Sequence, residues 1–184
     1  MKGREADRRR LRRLTLDAML VALALVLALV ERWIPLELLV PVPGIKLGLA
    51  NIVTLVALMR LRVLDAVAIL LVRVAIMSAI TGVTTMFFSL GGGVLALLLM
   101  WLLSFLEGRR LSVIGMSMAG AAAHNLGQVG VASLVLGEPL LLVTYLPPLL
   151  ITGLLTGVLT GAAAGPVIRN LARLPALYQE DGRL

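Results

Sequence analysis

Residues 14–30 read LTLDAMLVALALVLALV, with Asp17 in the opening turn as the only charge and Glu31-Arg32-Trp33 immediately after. A helix that spans a bilayer needs about twenty mostly apolar residues, and this stretch comes close to that length. The tail before it, MKGREADRRRLRR, holds seven of the seventeen Lys and Arg. A basic tail ahead of an apolar run also describes a secretory leader. This run is too long for a leader and no small-residue cleavage site follows it, so it reads as a retained first helix behind a cytoplasmic tail.

The rest of the chain agrees with that start. Its 184 residues are 60% apolar and 15% charged, with a mean hydropathy of +1.02. An ordinary soluble chain is about half apolar and about a quarter charged, so a soluble fold of this size has nowhere to bury so much apolar surface. The chain contains no cysteine and one histidine, His124. That excludes thiol catalysis, disulfide frameworks and most Cys- or His-ligated metal sites. No metal and no cofactor is expected.

Five further apolar runs follow, at 47–61, 63–81, 94–106, 112–136 and 140–168, which makes six expected spans in an all-α membrane protein. Arg73 interrupts the third run, Gly91-Gly92-Gly93 extends the fourth backwards, and the fifth is rich in Gly, Ala and Ser. The sixth is over-long and contains Pro147-Pro148, so a tilted or broken helix is expected there. The organisation read from this is a basic tail over 1–13, a membrane domain over 14–170 and a C-terminal tail over 171–184.

Six spans place both termini on one side. That side receives the tail, Arg60 and Arg62, Arg109 and Arg110, and Arg169, Arg173 and Arg183, leaving Arg32, Lys46 and the intramembrane Arg73 as the other basic residues. Cytoplasmic loops carry the excess of Lys and Arg, so both termini are expected inside the plasma membrane of a bacterial cell. The net charge of +7 is then a topology signal with lipid-headgroup contacts, and no nucleic-acid partner is implied. The outer side receives ERWIPLELLVPVPGIK (31–46) and a short segment at 82–93. Prolines at 35, 41 and 43 favour an extended chain. The first segment is either a lid over a cavity or a stretch lying in the membrane interface, and the sequence leaves both open.

No hydrolase triad, paired-carboxylate site or phosphate loop is present, and the glycine run lacks the Lys-Ser/Thr of a phosphate-binding loop. The ten acidic residues never form the DDxxD pattern with which prenyl-transferring enzymes hold magnesium and diphosphate. Catalysis by this chain alone is not expected. The remaining signal is polar groups inside the membrane. An arginine at mid-span costs roughly 2.5–3.5 kcal/mol and has to pair or face a wet cavity. For Arg73 the alternatives are a binding site or a pair with Asp65, two turns below.

His124 and Gln128 are four residues apart and share a helix face, with Asn125 beside them and Gly120, Ala121, Gly127 and Gly130 around them. They are either ligand-binding groups or polar glue between close helices. Lys46 and Asn51 bracket the start of the second span, and Glu31 closes the first. The expected substrate-binding set is Lys46, Asn51, Arg73, His124, Asn125 and Gln128. Ala18, Ala22, Ala24 and Ala28 have the small-xxx-small spacing that suits docking of a partner helix, and Gly153, Gly157 and Gly161 repeat it in the sixth span.

PGIKLGLANIVTL at 43–55, Arg73, the glycines at 91–93 and AAAHNLGQ at 121–128 resemble the bacterial family of heptaprenyl diphosphate synthase component I, also called the Gx transporter family. The resemblance runs from about residue 14 to 170. That family is in turn similar to the substrate-binding S components of energy-coupling factor (ECF) transporters. The likeness implies six helices, capture of a small anionic, isoprenoid- or vitamin-related molecule from outside, and partners in a transmembrane coupling component and ATPase subunits. The alternative is a non-catalytic accessory subunit of a heptaprenyl diphosphate synthase. A self-contained transporter is a third possibility.

Overall fold

The structure is a computed structural model that describes residues 2–34, 46, 48–105 and 111–172. Six helices follow one another: α1 Lys2–Glu31, α2 Asn51–Arg60, α3 Val63–Thr81, α4 Val83–Ser104, α5 Val113–Leu136 and α6 Leu140–Ala172. Most of the outer segment expected at 31–46, and with it Pro35, Pro41 and Pro43, lies outside the described residues. So do Arg109, Arg110, Arg173 and Arg183.

The chain is turned inside out relative to a soluble protein. Large apolar side chains such as Met19, Leu64, Leu134, Val143 and Leu159 are exposed, while Glu31, Asn51, Arg73, His124, Asn125 and Gln128 are buried. Apolar residues on the outside are stable only against lipid. Four helices are long and apolar enough to cross a membrane: α1 over Arg10–Glu31, α3, α4, and α6 over Leu140–Leu171. The protein is a multi-pass membrane protein.

The other two helices depart from the expectation. α2 has 10 residues, about 15 Å at 1.5 Å per residue, half the ~30 Å of a bilayer's hydrocarbon core. It begins at Asn51 rather than at 47, because the backbone from Gly48 to Ala50 makes turns that only then pass into helix. α5 is long enough at 24 residues, but its glycines, serines and the His124, Asn125 and Gln128 side chains dilute its apolar character.

The basic stretch is helical, because α1 runs unbroken from Lys2; Arg and Lys are good helix formers and extend the apolar helix without a stop signal. Two further expectations are corrected. The fourth helix starts at Val83, well before the glycines at 91–93 expected to extend it, so the whole of 83–93 is helix. α6 continues through Pro147, Pro148 and Pro166. Thr152 Oγ1 donates to the carbonyl oxygens of Pro148 and Leu149, both at 3.1 Å, as the helix leaves the proline pair.

Local signals account for several helix ends. The Arg62 N–H donates to Asp65 Oδ2 at 3.0 Å, so an acid three residues on caps the start of α3. Ser112 Oγ accepts from the Gly115 N–H at 3.1 Å and caps α5. α5 stops at Gly137, whose φ of 69° is left-handed.

Missing side chains let the helices approach closely. A Cβ on Gly157 would lie 2.6 Å from Met118 Cα, and one on Gly161 2.7 Å from Ile114 Cα, so α5 and α6 touch backbone to backbone. On α4, Gly91 faces Gly127 and Val131 of α5, while Gly93 makes room for Leu70 of α3. α1 is held against the start of α3 by Arg13, whose Nε and Nη2 both bond Asp65 Oδ2. Because Asp65 is used in this way, it is not the partner of Arg73.

The alanines of α1 divide between two faces. Ala24 and Ala28 are buried within the bundle, Ala28 beside Ala50 and Met77, and so are not open to a partner helix. Their spacing put them on the stripe that meets α2 and α3. Ala18 and Ala22 are exposed.

Candidate functional site

The entry into α2 organises the site. Gly48 has a φ of +82°, and an added Cβ there would lie 2.8 Å from Asn51 Nδ2 and 2.9 Å from His124 Cδ2. Only glycine combines this backbone conformation with such close neighbours. The N–H groups of Gly48 and Leu49 point at the buried carboxylate of Glu31, at the end of α1, and both are bonded to it. A carboxylate at the opening turn of α2 satisfies free donors and complements the helix dipole.

Arg73 reaches the same region from the middle of α3. It is 6% exposed and makes no hydrogen bond or ion pair with any of the described residues. Glu31 lies within electrostatic reach of both Arg73 and Lys46. Lys46 Nζ is 3.4 Å from Ser89 Oγ on α4, a long contact. Burial pulls the Lys46 ammonium below its ordinary pKa, the Glu31 carboxylate opposes that shift, and Arg73 and Arg32 add to it. His124 of α5 supplies another wall.

Glu31, Lys46, Arg73, Ser89 and His124 line one small cavity, closed on its apolar side by Ala28, Val74 and Met77. Among the described residues the cavity is partly open, with room for water-sized groups inside it. Among the described residues, both amide atoms of Asn51 and Nδ1 of His124 are buried without a hydrogen-bond partner, which leaves hydrogen-bonding capacity beside the cavity. The cavity lies at the end of the bundle formed by the end of α1 and the start of α2, opposite the Arg13–Asp65 contact.

The six residues expected from sequence therefore separate. Lys46, Arg73 and His124 line the cavity, and Asn51 touches its edge through Gly48. Gln128 faces the backbone of residue 46: its Oε1 accepts from the Lys46 N–H at 3.0 Å and its Nε2 donates to the Lys46 carbonyl at 2.7 Å. Gln128 positions Lys46. Asn125 is turned to α6, where Nδ2 donates to the Leu149 carbonyl at 2.5 Å in space left by Gly153. Its place is a helix seam.

Two polar side chains of the cavity, Glu31 and Ser89, were not in that set. Glu31, at the outer end of the first span, reads from the sequence as an acid able to pair with Arg32 or Lys46 or to meet a cationic ligand group, without singling it out for the site. Ser89 fell in a stretch read as a loop, and nothing in its neighbours marks it.

Among the described residues there is no group of three or more His, Cys, Asp or Glu able to hold a metal ion. No curated protein and no solved structure matches the chain. The family model described as heptaprenyl diphosphate synthase component I matches residues 20–167, most of the chain and every helix that contributes to the cavity. A component is a subunit designation, which agrees with a chain that is not itself the enzyme. By that match the chain belongs to the heptaprenyl diphosphate synthase component I family.

Proposed function

We propose that the chain is a non-catalytic accessory subunit of a heptaprenyl diphosphate synthase, embedded in the plasma membrane with both termini cytoplasmic, and that its cavity binds a small anionic ligand. The family match over 20–167 carries the accessory role. The anion site rests on Arg73, whose buried guanidinium has Lys46 beside it and a single carboxylate, Glu31, within reach. Two cations against one anion leave an excess positive charge, which an anionic ligand neutralises at the lowest cost. The test adds the purified chain, in liposomes, to a catalytic prenyl diphosphate synthase subunit from the same cell. A change in product length or rate is expected. Unchanged products at saturating chain contradict the accessory role.

The position of the cavity supports a second reading. It lies at the end of the bundle away from the basic start of α1, hence on the outer side under the positive-inside rule. A chain of that design captures a molecule from outside and works like an S component, with a coupling protein and ATPases as partners and the exposed Ala18 and Ala22 available to them. This reading expects ligand binding by the isolated chain and no flux in liposomes until coupling proteins are added. Flux with the chain alone contradicts it.

A further inference from the structure

The lining of the cavity carries too little positive charge for a diphosphate. The charged groups that line it are the Arg73 guanidinium, the Lys46 ammonium and the Glu31 carboxylate, the last held in place by the N–H groups of Gly48 and Leu49; Arg32, which also acts on Lys46, is exposed and screened. With all three ionised the net charge is +1. In a low-dielectric interior a bound group is tolerated when it brings the cluster to neutrality, and each uncompensated charge beyond that is expensive. One negative charge achieves neutrality and two overshoot it.

The packing fixes where these charges sit. Gly48 is already against Asn51 and His124, and Gly92 packs on the His124 backbone so closely that a Cβ there would lie 2.7 Å from its carbonyl oxygen. The unbonded His124 Nδ1 and the Asn51 amide add neutral hydrogen-bonding capacity beside the charged wall, which suits a head group with a polar neutral part.

We infer that the cavity is selective for a singly charged anion, a carboxylate or phosphodiester-like group, with Glu31 as the residue that sets the accepted charge by cancelling one of the two cations. This rests on the anion-binding reading above and narrows it: a prenyl diphosphate, if the assembly handles one, is not held by its diphosphate in this cavity.

Binding is measured on the purified full chain in detergent by calorimetry with matched probes: acetate against malonate, and dimethyl phosphate against methyl phosphate and pyrophosphate. The expected result is at least tenfold tighter binding of the singly charged member of each pair. Glu31→Gln keeps a carbonyl oxygen for the Gly48 and Leu49 N–H groups and raises the cluster charge by one, so the preference should move toward the doubly charged probes. Equal or tighter binding of the doubly charged probes by the unaltered chain overturns the selectivity and leaves the anion site standing. An unchanged preference in Glu31→Gln removes Glu31 from its role. If no probe of either charge binds, the anion site fails together with this inference.

Discussion

Gln128 holds Lys46 by its main chain, with the Lys46 N–H donating to Gln128 Oε1 at 3.0 Å and Gln128 Nε2 donating to the Lys46 carbonyl at 2.7 Å. One side-chain amide of α5 thus does for residue 46 what a neighbouring strand does in a sheet. Removing it strands two backbone groups in a part-buried setting, a cost of about 1–3 kcal/mol. Gln128→Ala should lower thermal stability in detergent by that amount and weaken anion binding about tenfold, because Lys46 loses its fixed position. Binding unchanged alongside lost stability would show that the clamp serves the fold alone.

Asn125 is expected to behave differently although it is the next residue but two along the same helix. Its amide bonds the Leu149 carbonyl across the α5–α6 seam, away from the cavity. Asn125→Ala should cost about 1 kcal/mol of stability and leave anion affinity within a factor of two. A large loss of affinity in a folded variant would move Asn125 back into the site.

The glycines of α6 give a direct contrast in packing. Gly157→Ala puts a methyl group 2.6 Å from Met118 Cα, and backbone cannot step aside, so about 1–3 kcal/mol of destabilisation is expected from overpacking. Gly130 of α5 has nothing within 4 Å of an added Cβ. Gly130→Ala should be neutral, or stabilising by up to ~1 kcal/mol through helix propensity. Paired melting curves in one detergent check both.

These contrasts also mark what was legible in the sequence. The limits of α3 were readable because Asp65 caps its start and Gly82 ends it. The burial of Arg73 and His124 was readable because a polar group in hydrocarbon has to turn inward. The start of α4 was not, since the Thr and Ser residues ahead of the three glycines give no apolar run that marks a span. The different fates of Asn125 and Gln128 were hidden as well. Their partners are backbone atoms of segments 24 and 82 residues away, and helical periodicity reports which face a residue is on without saying what lies against that face.

Lys46 predicts a pH dependence. Its folded-state pKa is lowered by burial, with Glu31 opposing the shift and Arg73 and Arg32 adding to it. A buried ammonium with a lowered pKa opposes folding most fully at pH below the folded value, and the opposition fades as pH rises through the window between the folded and the unfolded pKa. Anion binding has the opposite trend, because the ligand needs the charged form. Affinity for acetate should therefore begin to fall at a pH below the ordinary lysine value of 10.5. Lys46→Arg, which keeps its charge across this range, should remove the fall. A decline of the same midpoint in Lys46→Arg would assign it to another group.

Arg13 and Asp65 tie α1 to the start of α3 at the opposite end from the cavity. Asp65→Asn weakens that tie and the cap on the Arg62 N–H together, with an expected loss of about 0.5–2 kcal/mol. Anion affinity should not change, because Asp65 is not the partner of Arg73. A concurrent loss of binding would contradict this separation of the two ends.

The central claim is that Arg73, Lys46, Glu31 and His124 surround one space that an anion can enter. Anomalous diffraction from crystals grown in bromide tests it most directly, since a monatomic anion is a small probe whose position the anomalous signal reports. An anomalous peak between the Arg73 guanidinium and the Lys46 ammonium, absent in Arg73→Gln, is the predicted result. Ordered electron density that places Arg73 against lipid or in a closed helix seam, with bromide only at the protein surface, would contradict it.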